Sequence, residues 1–134
     1  MTGPPHLRWL DRVDPGPERI LARARDLVAY GWCQGAEARD AEDDPVKPWS
    51  PEARCWSLLG ALVAAVDLPA QPEAVTLRPL RRALAALADV IDDPLLAAWN
   101  DDQGRTQGLV VRALERARAV CAEWDDTKTG PDSA

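Results

Sequence analysis

The stretch WNDDQGRT, residues 99–106, combines residue types that can do chemistry. Asp101 carries a carboxylate that could move a proton, and Arg105 carries a guanidinium that could hold an anionic substrate. The same two types recur as Arg39 and Asp40 in the acidic segment GAEARDAEDD. If both loops lie at one end of the fold, they would form an acid–base site with Asp101, Asp40 or Asp102 as the proton carrier. This pattern predicts a small cofactor-independent enzyme for a dehydration, isomerisation or cyclisation.

Metal chemistry fits this sequence poorly. With Gly104 at the sharp-turn glycine of a calcium loop, the first ligand would fall on Trp99 and the closing glutamate on Val110. The three cysteines and the single histidine are widely spaced, so they contain no local ligand pair for zinc. We therefore expect neither a metal nor a cofactor.

Nucleophilic catalysis is also disfavoured, because His6 is the only histidine and lies in the predicted N-terminal arm. No glycine-rich phosphate loop is present. Cys55 and Cys121 are predicted to be core residues, whereas Cys33 follows a helix end at a partly exposed position. All three are expected to be reduced thiols in a reducing cytoplasm.

The aromatic composition points to binding, since the chain has six tryptophans, one tyrosine and no phenylalanine. Indole suits both core corners and the walls of ligand pockets. Trp56 and Trp99 are predicted to be core residues, while Trp32 and Trp49 flank the acidic loop and either line a pocket or attach the loop to the body. The candidate binding residues are Trp32, Cys33, Gln34, Arg39, Trp49, Trp99, Asn100 and Arg105.

The composition limits the possible partners. A chain of 134 residues is long enough for one domain with its own core. A formal net charge of −6 argues against a dedicated nucleic-acid binder. The longest apolar run, LLGALVAAV, is too short to cross a bilayer. We expect a cytoplasmic protein that binds neither nucleic acid nor membrane.

The elements that would position these residues are helical. Residues 1–16 are predicted to form an N-terminal arm, 17–124 a helical domain and 125–134 a disordered polar tail. Helices are predicted from Pro17, from Ser50 followed by Pro51, across the stripe Leu77 to Ile91, in the short segment PLLAAWN, and after Thr106. No segment alternates as a strand does. The fold class is therefore all-α, a compact bundle of four main helices plus one or two short ones.

Three blocks in order, GWC, WSLLGAL and WND followed by RT, resemble a family of uncharacterised proteins from actinobacteria and their phages. The resemblance spans roughly residues 18–120. It implies a mostly helical single domain in a bacterial cytoplasm and supplies no activity. It marks as motif positions Trp32, Cys33, Trp56, Trp99, Asn100, Asp101, Arg105 and Thr106. Where the family has a glutamate that completes a capping box, this chain has Leu109.

Two functional hypotheses follow. The leading one is a non-enzymatic accessory or regulatory module that binds a small ligand or a protein partner, because no catalytic set is recognisable and tryptophan is abundant. The alternative is the carboxylate enzyme described above, for which Asp101→Asn would abolish activity without much loss of thermal stability. A homodimer through the face from Leu77 to Ile91 is a third possibility.

Overall fold

A computed structural model of the chain describes residues 3–8, 16–66 and 73–128. Within these ranges the chain is mostly helical, as predicted. A short 3-10 helix covers Pro5–Arg8. The α-helices are α1 (Pro17–Tyr30), α2 (Leu58–Val66), α3 (Glu73–Ile91), α4 (Leu96–Asp101) and α5 (Gln107–Lys128), and the strands are β1 (Ala38–Arg39) and β2 (Cys55–Trp56). In this part of the chain, no helix is long and apolar enough to cross a membrane.

Helix α1 forms as its sequence predicts. Pro17 occupies the first turn, where its missing N–H costs nothing, and Glu18 complements the positive end of the helix dipole. Residues at spacings of three and four, from Ile20 to Val28, form a fully buried stripe. The helix ends at Gly31, where a Cβ would lie 2.3 Å from the carbonyl oxygen of Arg54. Only glycine lets the helix end lie this close to the segment before β2.

The helix predicted from Ser50 begins later than expected. Ser50 Oγ accepts the N–H of Glu52 at 3.1 Å, but the segment forms only a turn and then strand β2. The capping serine of α2 is Ser57, whose Oγ accepts the N–H of Gly60 at 3.1 Å. The prediction was wrong for residues 51–57, because the N–H and C=O of Trp56 bond to the chain after α1 instead of continuing a helix.

The small sheet was not predicted. Strands β1 and β2 are antiparallel, with Ala38 opposite Trp56, and Trp32 forms a parallel bridge to Trp56. Two-residue strands are too short to show alternation in sequence. Cys55, predicted on a helix face in the core, lies in this sheet and is only partly buried. Trp56 is fully buried, as predicted, but in a strand.

Helix α3 begins at Glu73, four residues before the predicted stripe from Leu77 to Ile91, so Pro79 lies inside the helix. Leu87 on the predicted stripe is fully buried, and Leu80, Leu84 and Ile91 pack against the core. The side chain of Leu77 lies outside the described residues. The face considered for a homodimer is thus the inner face of the helix, which packs against α5 and α1.

Near the N-terminus the described residues pack on the small sheet, and near the C-terminus they belong to α5. In the arm, His6 contacts the edge of Trp56 with ring centroids 5.0 Å apart, and its Nε2 lies 2.8 Å from the carbonyl oxygen of Ser50. Trp9 and Leu10, predicted to attach the arm, lie outside the described residues. Helix α5 is capped by Thr106, as predicted, since Oγ1 accepts the N–H of Leu109 at 3.2 Å. The helix runs to Lys128, and residues 129–134 lie outside the described part.

Candidate functional site

Asn100 is the centre of the WND motif. It is completely buried, although it lies at the end of the six-residue helix α4. Its Oδ1 accepts hydrogen bonds from Nε1 of Trp32 at 2.8 Å and from the N–H of Leu58 at 3.0 Å. Its Nδ2 donates to the carbonyl of Cys33 at 3.1 Å and to Oδ1 of Asp101 at 3.0 Å. The amide therefore makes all four of the hydrogen bonds it can make.

One of these bonds satisfies a backbone group that α2 itself leaves without a partner. The N–H of Leu58 opens α2, where the first four N–H groups have no acceptor inside the helix. Ser57, which directly precedes α2, accepts one of them, and Asn100 accepts another from helix α4. Asn100 thus acts as a second cap for α2.

The loop after α1 closes the other side of this corner. Gln34 Nε2 donates to the carbonyl oxygens of Asn100 at 2.9 Å and Asp102 at 3.1 Å, which are exposed where α4 ends. The N–H of Gly35, which has a φ of 80°, donates to Oδ1 of Asp101 at 3.0 Å. Five of the predicted site residues are therefore joined in one hydrogen-bonded corner: Trp32, Cys33, Gln34, Asn100 and Asp101.

Arg105 is bound to Trp99 and takes no part in the hydrogen bonds of this corner. Its guanidinium stacks on the indole ring at 3.9 Å from the centroid, and its Nε donates to the carbonyl of Trp99 at 2.8 Å. Its ion pair is with Asp102, at 3.3 Å, and not with Asp101. Trp99, predicted to be a core residue, is only partly buried: it packs against the core, and the guanidinium covers one face of its ring.

The acidic loop folds mainly on itself. Arg39 lies 3.8 Å from the carboxylate of Asp43 and donates to the carbonyl of the same residue at 3.0 Å. Asp40 Oδ1 accepts the N–H groups of Glu42 and Asp44, each at 2.9 Å, which is the bonding of an Asx turn. Trp49 is half-buried, and the ammonium of Lys47 lies over its ring. Arg39 and Asp40 therefore have structural partners within their own loop.

Two cavities that share lining residues lie against α4. The first is an apolar groove of about 510 Å³, lined by Leu59, Leu84 and residues 94–98. The second, which we call the notch, has a volume of about 190 Å³ and is lined by residues 35–37, Ser57, Leu59, Ala97 and Asp101. Leu59 and Ala97 line both, so the notch forms a polar end to the groove. Arg105 does not share this space, because it lines a different cavity, between α3 and α5.

Sequence reasoning missed the groove residues. The signal that could have found them is the pair Leu95 and Leu96 in the short segment PLLAAWN. Leu95 precedes the first residue of α4, and neighbouring side chains there point in directions about 100° apart, so the two leucines face different surroundings. Leu96 is buried, whereas 66% of Leu95 is exposed.

The surroundings of Cys33 lower the reactivity of its thiol. Its partial burial, together with the neighbouring thiol of Cys55, raises the pKa of Cys33 to about 12. A thiol with this pKa has very little nucleophilic thiolate at neutral pH. We expect Cys33 to react with iodoacetamide at pH 8 far more slowly than a cysteine in the urea-unfolded chain, as mass spectrometry of tryptic peptides would show. Equal rates in folded and unfolded protein would contradict this.

The raised pKa of Cys33 also makes the folding stability depend on pH. Between the unfolded value near 9 and the folded value of about 12, the unfolded chain holds fewer protons than the folded one. The contribution of Cys33 to stability is therefore constant below about pH 8 and falls as the pH rises above 9. Thermal melts at pH 8 and pH 10, compared with those of Cys33→Ser, would measure this contribution.

The comparisons with known proteins identify a family and no activity. The model of a family of unknown function, DUF6197, matches residues 12–120, so the chain belongs to this family. No curated protein and no solved structure matches the chain. Among the described residues, no group of three or more His, Cys, Asp or Glu side chains is placed to hold a metal ion. The corner and the cavities beside it are therefore the features that bear on function.

Proposed function

We propose that this DUF6197 protein is a non-enzymatic binding module for a small molecule that has an apolar body and an amine or ammonium end. The observation that carries the proposal is the apolar groove with the carboxylate-bearing notch at its end. A volume of about 510 Å³ lies within the range of sites that bind small organic ligands. The notch adds a smaller space of about 190 Å³ beside the groove, with Asp101 in its lining.

The apolar body of the ligand would lie on Leu59, Leu84 and Leu95. With 66% of its surface exposed, Leu95 leaves apolar area in contact with water that a ligand would cover. Such burial contributes roughly 25 cal/mol for each Å² of apolar surface removed from water. The groove therefore supplies affinity, and the notch supplies orientation.

The polar end of the ligand would meet Asp101. Both hydrogen bonds of this carboxylate use Oδ1, and among the described residues no donor is bonded to Oδ2. The exposed side chain of Glu37 stands at the same notch. A notch lined by the carboxylates of Asp101 and Glu37 complements a cation better than an anion.

Binding is favoured over carboxylate catalysis by the partners of the proposed catalytic groups. Asp40 is engaged in its own turn, and Arg105 is held by Trp99 and Asp102 at another cavity. The groups that the enzyme hypothesis pairs with Asp101, namely Asp40 and Arg105, are therefore bound to other partners.

The test compares octylamine with octan-1-ol by isothermal titration calorimetry. We expect the amine to bind more tightly than the alcohol, and Ala97→Leu to weaken both by about tenfold or more, because a branched side chain would fill the junction of groove and notch. Asp101→Asn keeps an oxygen for Gly35 and removes the charge, so it should abolish the preference for the amine while changing the melting temperature by only a few degrees.

The control is Leu109→Ser, which changes an exposed leucine outside the groove, with 41% of its surface exposed. It should leave octylamine binding unchanged. Equal affinity for amine and alcohol, or unchanged binding in Ala97→Leu, would contradict the proposal. Chemical conversion of a groove ligand by the purified protein would favour the enzyme instead.

A further inference from the structure

A third cavity lies between α3, the end of α4 and the first half of α5. Its volume is about 140 Å³. Its floor is apolar and its rim carries three arginines. The lining residues are Val90, Ile91, Trp99, Arg105, Leu109, Arg112, Ala113 and Arg116. We call it the arginine cavity.

Two of its arginines are not paired with any residue that the structure describes. Arg112 and Arg116 are exposed and stand four residues apart on α5, where like charges repel each other. Neither has an ion-pair or hydrogen-bond partner among the described residues. The nearest carboxylate along α5, Glu115, pairs with Arg25 at 3.2 Å. In a chain with a net charge of −6, this concentration of positive charge is a local exception.

The third arginine is held in a fixed orientation. Arg105 stacks on Trp99, its Nε bonds to a carbonyl and its Nη2 pairs with Asp102. Its side chain is only 19% exposed. Nη1 has no partner among the described residues, so one donor atom of an ordered guanidinium is available at the cavity. Planar guanidinium groups are well suited to carboxylate and phosphate oxygens.

The apolar floor of the cavity indicates what kind of group a bound anion would carry. Val90, Ile91 and Leu109 present aliphatic surface, and 41% of Leu109 is exposed. A cavity of about 150 Å³ in another protein holds one benzene molecule, so this space has room for a single ring or a branched aliphatic group. Inorganic phosphate alone would leave the floor uncovered.

We infer that the arginine cavity is a binding site for a small organic anion, a carboxylate or phosphate group carried on one aromatic or branched apolar group. Arg112 and Arg116 hold the anionic oxygens together with Arg105. Val90, Ile91 and Leu109 cover the apolar part. The site is independent of the groove, since the two cavities share no lining residue and complement opposite charges.

The experiment titrates the full chain with phenyl phosphate, benzoate, inorganic phosphate and benzylamine, and follows binding by NMR. Phenyl phosphate and benzoate should bind, phenyl phosphate more tightly than inorganic phosphate, and benzylamine should not shift the Nε resonance of Arg105. Arg112→Gln and Arg116→Gln should each raise the Kd for phenyl phosphate by about tenfold, the effect of losing one charge-assisted hydrogen bond. Both side chains are exposed, so the variants should fold normally.

The matched control is Arg78→Gln, an exposed arginine on α3 that lies about 18 Å along the helix from Val90. It removes the same charge and should change the Kd by less than twofold. If it weakens binding as much as Arg112→Gln does, general electrostatic attraction explains the result and the inference is overturned. Equal affinity for phenyl phosphate and inorganic phosphate would likewise overturn the apolar part of the site.

Discussion

Replacing Asn100 by alanine is expected to lower the free energy of unfolding by about 3–5 kcal/mol. The substitution removes both ends of a completely buried amide. It leaves the N–H of Leu58, the indole N–H of Trp32 and the carbonyl of Cys33 without their partner. Each buried polar group that loses its hydrogen bond costs about 1–3 kcal/mol, and water entering the space would recover part of that.

Urea denaturation followed by tryptophan fluorescence would measure this loss. Asn100→Asp is a sharper variant, because it keeps Oδ1 for Trp32 and Leu58 but replaces the donor that faces Cys33 with a buried charge. The control is Asp101→Asn, which retains an acceptor for Gly35 on a neighbouring exposed residue. A loss below about 1 kcal/mol in Asn100→Ala would mean that Asn100 does not anchor this corner.

The helices were predictable because their signals are local. The stripe from Ile20 to Val28 and the cap at Thr106 depend on neighbours within four residues, and both predictions are confirmed. The roles within the WND motif were not predictable in the same way. Apart from the adjacent Asp101, the partners of the Asn100 side chain lie 42 to 68 residues away in sequence, so spacing alone could not show what its amide binds.

Competition between local signals explains the late start of α2. Ser50 with Pro51 and Ser57 are both good helix starts when judged from sequence, and the choice between them is made by pairing across the fold. Trp56 bonds to the carbonyl of Gly31 and the N–H of Cys33, which requires an extended backbone at that point. Only after this constraint ends can the chain turn into a helix.

The cavities were beyond sequence reasoning for a related reason. Arg105 was identified as a candidate, but Arg112 and Arg116 look like ordinary solvated positions on a helix. Their interest comes from the floor that α3 places beneath them and from the absence of protein partners among the described residues. Concavity is a property of packed helices, and no single segment encodes it.

Replacing Gly60 by alanine is expected to destabilise the protein by about 3 kcal/mol, near the upper end for overpacking. Alanine normally stabilises a helix relative to glycine by about 1 kcal/mol, so propensity alone predicts the opposite sign. Here the added Cβ would lie 1.9 Å from the carbonyl oxygen of Glu37, which is backbone and cannot rotate away. The same oxygen accepts the N–H of Ser57 at 3.0 Å. Any shift that relieves the contact also loosens the start of α2.

The matched control for Gly60 is Gly108→Ala in the first turn of α5, where an added Cβ meets nothing within 4 Å. This change should leave stability unchanged or raise it by up to about 0.5 kcal/mol, as propensity predicts. Thermal and urea unfolding of the two variants would therefore move in opposite directions. If Gly60→Ala were also stabilising, α2 could not lie directly against the backbone of Glu37. The notch between Ser57, Glu37 and Asp101 would then have a different shape, and the proposed ligand site would lose its polar end.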